Sequence, residues 1–184
     1  MNRFELIESL VPVLEDTLVV CNIGIPSQEL FSICDRENHF YMLGSMGLCS
    51  SIGLGLALTT NKSVVALEGD GAVLMNLGTL ATIGNRAPDN LILLVIDNGS
   101  YGSTGDQATY TSEATSLAVM ARGGGCSNVI ECSGEATAGV LADALSAKQA
   151  SVIVSKVNPG NRPLPVVPLH PIVLRERFKK AIQM

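Results

Sequence analysis

The residues whose types and spacing could do chemistry are Asp70, framed as Gly69-Asp70-Gly71-Ala72, and Asn98, within Asp97-Asn98-Gly99-Ser100-Tyr101-Gly102. Each closes an apolar run, 64–67 in the first case and 91–96 in the second. A carboxylate and a carboxamide are hard oxygen donors of the kind Mg²⁺ takes, in near-octahedral geometry shared with waters and ligand phosphates. Asp70, Asn98 and one backbone carbonyl would suffice as the protein's share of a magnesium diphosphate site. Glycines on both sides of Asp70 let the backbone approach phosphate oxygens, and the Gly71 and Ala72 amides can donate to them. A Gly-Asp-Gly alone is more often a turn; the second oxygen ligand at the next strand's end is what gives it weight.

The elements that must position these residues read clearly. Segment 73–86 carries apolar Val73, Leu74, Leu77, Leu80, Ala81 and Ile83, which predicts one helix, with Pro88-Asp89 as its stop. With strands before and after, this is a βαβ unit with both polar sites at carboxyl ends of strands, where ligands bind in open α/β sheets. Around it the pattern predicts helix 3–14, strand 17–22, helix 27–34, strand 39–43 and helix 47–59. After it come helix 116–122, strand 128–132, helix 135–147, strand 151–156 and helix 172–182. Strands alternating with helices, several strands being almost wholly apolar, give an α/β fold: a single doubly wound domain over 1–184 with a mostly parallel sheet covered on both faces. The polar loop 99–113 leaves directly from the second site; a structureless loop of that length is often a lid. From Asn158-Pro159-Gly160, with Pro163, Pro165, Pro168 and Pro171, an extended arm follows, wrapping a neighbouring subunit or crossing the chain's own surface.

Composition narrows the function classes. At 47% hydrophobic residues and a mean hydropathy of +0.35, the apolar runs are still too short to span a bilayer, and Met1-Asn2-Arg3-Phe4-Glu5 lacks a signal-peptide pattern, so a cytoplasmic protein is expected. The apolar excess goes into a dry core, into contacts with other subunits including self-association, or both. A net charge of -5 without a basic run disfavours nucleic acid. Arg175, Arg177, Lys179 and Lys180 read as a solvated helix face. Cys21, Cys34, Cys49, Cys126 and Cys132 are scattered and read as reduced thiols. His39 and His170 are the only histidines, too few for a His-built zinc site, and each reads as structural.

At Gly69-Asp70-Gly71 and Asn98 the chain resembles the diphosphate-binding domain of thiamine diphosphate enzymes, whose signature is Gly-Asp-Gly followed, a helix and a strand later, by Asn. The resemblance implies thiamine diphosphate and Mg²⁺ as cofactors, the metal on Asp70, Asn98 and the backbone oxygen of Ser100. It implies cofactor contacts at Gly24, Ser27, Gly44, Ser45, Met46, Gly69, Asp70, Gly71, Ala72, Asn98, Ser100, Tyr101 and Gly102. Met46 matches the apolar wedge that bends the cofactor in that family, although a methionine also serves as core filler. Ile25 and Pro26 stand where relatives carry more polar residues near the diphosphate; Pro26 still suits the first turn of a helix whose free amides attract phosphate.

Segments 40–47, 51–58 and 98–105 narrow the resemblance to the beta subunits of sulfopyruvate decarboxylases, with phosphonopyruvate decarboxylases nearby. That implies decarboxylation of a 2-oxo acid in coenzyme M biosynthesis. In this family the cofactor is activated by a glutamate on a separate pyrimidine-binding domain, which this chain lacks. Glu68 would sit beside the diphosphate, at the wrong end of the cofactor. The resemblance therefore implies half an active site, with no certain catalytic residue here and an alpha subunit supplying the pyrimidine-binding domain and its glutamate. No sulfonate-binding group is located in the sequence. Alternatives are a subunit of a 2-oxo acid:ferredoxin oxidoreductase, whose chains commonly carry cluster cysteines, a carboligase fragment related to acetolactate synthase and, outside enzymology, a phosphate-sensing regulatory domain that would not need Met46.

Overall fold

Apolar strands alternate with helices along the whole backbone of the computed structural model, which describes residues 1–183. In chain order the elements are α1 (Arg3–Leu10), β1 (Leu18–Cys21), α2 (Ile25–Ile33), β2 (His39–Tyr41), α3 (Cys49–Ala57), β3 (Val64–Gly69), α4 (Asp70–Met75) and α5 (Gly78–Arg86). There follow β4 (Leu91–Asp97), a hairpin of β5 (Ser100–Tyr101) and β6 (Gln107–Ala108), α6 (Leu117–Gly123), β7 (Asn128–Ser133), α7 (Thr137–Ala147), β8 (Ser151–Lys156) and α8 (Pro171–Gln183). Six strands form one parallel sheet in the order β2-β1-β3-β4-β8-β7.

Side-chain alternation sends Val19, Cys21, Val65, Leu67, Ile92 and Leu94 toward α1, α2 and α7. Leu18, Val20, Val64, Ala66, Leu91 and Leu93 face α3, α5 and α6 instead. Both faces are covered, which is why β3 up to Leu67 and β4 up to Ile96 are apolar without a break. α2 leaves β1 onto one face and α4 leaves β3 onto the other, so a crevice opens between the carboxyl ends of β1 and β3.

Three local departures from the sequence pattern have identifiable causes. The helix expected over 73–86 is two, α4 and α5, broken where Asn76 takes φ -144° and ψ 53°. The Asn76 Nδ2 donates to the Gly47 carbonyl at 3.0 Å and to Ser51 Oγ at 3.2 Å, so a long-range bond wins over helix continuity. Helix α1 opens with an Asn2–Glu5 capping box but ends at Leu10 rather than 14: Val11 keeps helical dihedrals (φ -51°, ψ -43°), and Pro12 then has no amide proton to continue the ladder. Loop 99–113 is not structureless: it holds the β5–β6 hairpin and short 3₁₀ turns at Gly102–Thr104 and Tyr110–Ser112.

The arm runs over its own chain. The Asn158 amide donates to the Met1 carbonyl at 3.0 Å, and the Arg162 guanidinium stacks 3.7 Å from the Phe4 ring centroid. Helix α8 then docks through Arg177, which pairs with Asp35 and donates to the Arg36 carbonyl, and through Phe178 against Phe40. Arg177 is thus a docking residue rather than part of a solvated basic face.

Candidate active site

Because Gly69 pairs with Ile96 in the β3–β4 ladder, the next residues, Asp70 and Asp97, emerge side by side at the carboxyl edge. Both carboxylates are buried. The loop after β4 supplies their partners: Asp70 Oδ2 meets Thr109 Oγ1 at 2.5 Å and Thr111 Oγ1 at 2.9 Å, and Thr111 Oγ1 also reaches Asp97 Oδ1 at 2.8 Å. The two hydroxyls lie 2.8 Å apart, so these contacts compete for only two hydroxyl protons. Burial pushes the Asp70 carboxyl above its ordinary range, the Asp97 charge adds to that, and the threonine hydrogen bonds offset only part of it. Asp97 is steadied by Lys156 Nζ at 2.5 Å and by the Gly99 amide. Both threonines take Oδ2, which leaves Asp70 Oδ1 without a side-chain partner.

Asn98 accepts the Ser100 amide on Oδ1 at 3.2 Å, whereas its Nδ2 is sealed from solvent with no hydrogen-bond partner. Asn22 Oδ1, just past β1, is orphaned in the same way. Such groups are rare in folded proteins and ask for a partner from outside the chain. Both line a cavity of about 270 Å³ over the crevice. Gly24, Met46, Gly69, Asp70, Gly71, Ala72, Asn98, Ser100, Tyr101 and Gly102 are all in its wall. Gly24, at φ 86°, precedes α2, and Pro26 occupies that helix's first turn as expected, directing free amides at the cavity.

Other expected contacts are placed differently. Ser27 is buried with its hydroxyl donating to the Asn22 carbonyl at 2.7 Å, so it braces the turn after β1 and is outside the cavity wall. Gly44 and Ser45 are solvent-exposed on the loop that carries Met46 and do not line the cavity. That loop is held by the Asn76 bond and bent by positive φ at Ser45 (60°) and Gly47 (89°), which keeps Met46 at the wall. At Gly71 the missing Cβ makes room for a side chain: a Cβ there would lie 2.3 Å from the Tyr101 ring. Glu68 is not beside Asp70. Strand alternation turns it to the α3 face, where its carboxylate accepts the Ser50 amide at 2.9 Å and caps that helix, and burial pushes its carboxyl up.

The side-chain oxygens left for a cation are therefore Asp70 Oδ1 and the remaining lone pair of Asn98 Oδ1. Among the described residues no three His, Cys, Asp or Glu side chains gather as a self-sufficient cage, so a cation here would complete its shell from water and ligand oxygens.

Residues 25–155 match the model of the thiamine pyrophosphate enzyme C-terminal TPP binding domain. The chain belongs to the thiamine pyrophosphate enzymes. It is 48% identical to the sulfopyruvate decarboxylase subunit beta of Methanococcus maripaludis, covering 100% of this chain and 98% of that one. It is 40% identical to the sulfopyruvate decarboxylase of Methanosarcina acetivorans, where it covers 100% of itself and 48% of the relative. A solved thiamin diphosphate-dependent enzyme from Mycobacterium smegmatis shares the fold, with a TM-score of 0.66 at 23% identity over 86% of this chain; the chain spans 32% of that structure's length.

For a thiamine pyrophosphate enzyme the cavity wall holds more than the motif residues. Arg3 from α1 is the one cationic side chain in it, its Nε and Nη2 committed to Glu29 at 2.7 and 3.1 Å. Asn22, Thr109, Thr111 and Lys156 were also not singled out from sequence. Only the threonine pair left a trace, as two hydroxyls two residues apart in the polar loop after Asn98, and the 3₁₀ turn at Tyr110–Ser112 brings both onto the Asp70 carboxylate. Nothing local marks Arg3 or Asn22.

Proposed function

We propose that this chain, read as one unit over 1–184, is the diphosphate- and Mg²⁺-binding half of a two-chain decarboxylase that converts 3-sulfopyruvate to sulfoacetaldehyde and CO₂, in coenzyme M biosynthesis. Asp70, Asn98 and the Ser100 carbonyl hold the cation, and the α2 amino terminus with the Gly71 and Ala72 amides receives the diphosphate. When bound, thiamine diphosphate supplies the nucleophilic carbon and the electron sink for losing CO₂ from a 2-oxo acid. The residues of this chain hold and orient it. Thr109 and Thr111 fix the Asp70 carboxylate through Oδ2 and leave Oδ1 for the ion, Asn98 Nδ2 would donate to a phosphate oxygen, and Met46 would pack against the cofactor.

One observation carries the half-site reading: among the described residues Asp70 is the only carboxylate lining the cavity, so their wall offers no glutamate for the pyrimidine end. The beta-subunit name of the M. maripaludis relative supports a separate alpha chain, and the M. acetivorans relative, about twice as long in one chain, fits a fusion of two such halves. Large apolar side chains left in solvent on the Met46 loop and its neighbours, Leu43, Leu48, Met75 and Tyr110, fit a surface that the partner covers. For the permanently charged sulfonate the partner supplies the cationic group, since Arg3 is committed to Glu29 and Asn161.

The test is coexpression with the alpha subunit and measurement of aldehyde released from sulfopyruvate, phosphonopyruvate and pyruvate in parallel. Sulfopyruvate turnover by the complex and none by either chain alone is expected. Turnover by this chain alone, or preference for another substrate, would overturn the corresponding part of the proposal.

A further inference from the structure

We infer that Asn161 is a positioning residue that clasps Arg3 to the loop after β4, so that the segment following β8 sets how firmly the cavity holds its cofactor. The inference rests on the proposed function for the identity of that cofactor.

Asn161 lies outside the matched region 25–155 and is itself exposed, yet its side chain joins three parts of the fold. Arg3 Nη2 donates to its Oδ1 at 2.9 Å, while its Nδ2 donates to the Gly102 carbonyl at 2.9 Å and to Asp106 Oδ1 at 3.3 Å. The amide's orientation follows from chemistry alone: a guanidinium only donates, and a carbonyl and a carboxylate only accept. Asparagine is the residue that serves both sides. Aspartate would keep the Arg3 contact, lose both donations and set a second negative charge against Asp106.

The clasp has firm anchors on both sides. Arg3 is buried and held in a two-point pair with Glu29 of α2, whose amino-terminal Gly24 forms another part of the cavity wall. On the loop side Asp106 also accepts Ser100 Oγ at 3.1 Å, tying the clasp into β5 directly after Asn98. Ser103 closes the circuit: a Cβ at Gly24 would fall 3.0 Å from its Oγ. Gly102 carries the imprint of Asn161. A Cβ at Gly102 would lie 2.5 Å from Asn161 Oδ1, and its backbone is not left-handed, so a side chain added there would push the Asn161 amide aside.

The experiment uses the complex of this chain with its alpha subunit. For Asn161→Ala, calorimetric titration with thiamine diphosphate and Mg²⁺ should show a Kd weaker by about tenfold, the loss expected for one or two hydrogen bonds, with kcat at saturating cofactor unchanged. Asn161→Asp should do at least as much harm. Gly102→Ala should weaken cofactor binding in the native background and lose most of that effect when combined with Asn161→Ala. Amide hydrogen exchange over 100–108, measured without cofactor, should quicken in both Asn161 variants. Unchanged affinity and exchange in Asn161→Ala, or a Gly102→Ala defect that persists in the double variant, would overturn the clasp. A native complex that binds no thiamine diphosphate would overturn the proposed function instead, and the exchange measurement would still decide the clasp.

Discussion

The two ends of the central sheet are built to opposite standards. At the amino end, Asn90 Nδ2 donates to the carbonyls of Ala57, Thr60 and Lys62, and the Asn90 carbonyl accepts the Val64 amide, closing the turns that feed β3 and β4. At the carboxyl end, Asn22 Oδ1 and Asn98 Nδ2 are buried without partners in residues that line the cavity, and the Asp70 carboxyl is buried beside them. Glu68 Oε1, Arg177 Nε and, at the amino end of β2, His39 Nε2 are also orphaned, but away from the cavity wall. Asn90 is spent on the fold, whereas Asn22 and Asn98 are left short beside a cavity from which an outside group would supply the missing partners.

Asp70→Asn breaks the contrast most severely. If Asp70 holds Mg²⁺ as proposed, this change should weaken Mg²⁺-dependent cofactor binding roughly hundredfold or more, exceeding the loss usual for an outer hydrogen-bonding partner. The same change should leave the metal-free chain equally stable or more so. Burial raises the Asp70 pKa above the unfolded 3.8, so between those values the unfolded chain releases a proton that the folded one keeps. Stability contributed by Asp70 is therefore full below 3.8 and falls as pH rises through the folded value, a loss the asparagine variant should not show in thermal melts.

At the opposite end, Asn90→Ala should cost about 1–3 kcal/mol in denaturant unfolding by leaving carbonyls unpaired, with cofactor affinity unchanged. A binding defect there would erase the distinction between the two ends. Thr111→Val removes the hydroxyl shared by Asp70 and Asp97 and should weaken the cation's hold about tenfold, read by titration with Mg²⁺ at fixed cofactor. The smallest effect concerns His39, whose pKa burial pushes down from 6.5 to about 4. Stability should decline as pH falls from 6.5 toward 4, because only the unfolded chain takes up the proton; His39→Phe should flatten that slope in pH-dependent melts, with cofactor binding untouched.

Much of the fold was legible because it is local. Runs 64–67 and 91–96 could only be buried strands, and the single βαβ unit between Asp70 and Asn98 leaves them no choice but to emerge at one edge of the sheet. The segment over 73–86 misled for the converse reason: its apolar spacing is helical throughout, and the break at Asn76 answers to Gly47, a residue no window around it contains. Ser27 has the right type and a plausible position, yet its hydroxyl is taken by the carbonyl of Asn22.

Sequence alone determined the alternation of strands and helices, the covering of the sheet on both faces, and the arrival of an aspartate and an asparagine at neighbouring strand tips, since each follows from hydrophobic period and chain connectivity. Tertiary structure alone decided that Glu68 caps α3, that Thr109 and Thr111 fold back onto Asp70, and that Arg3 and Asn161, from opposite ends of the chain, meet beside Gly102. These are directional contacts between side chains far apart in sequence, and a hydrogen bond's partner is chosen by where packing leaves the two atoms, which no local pattern records.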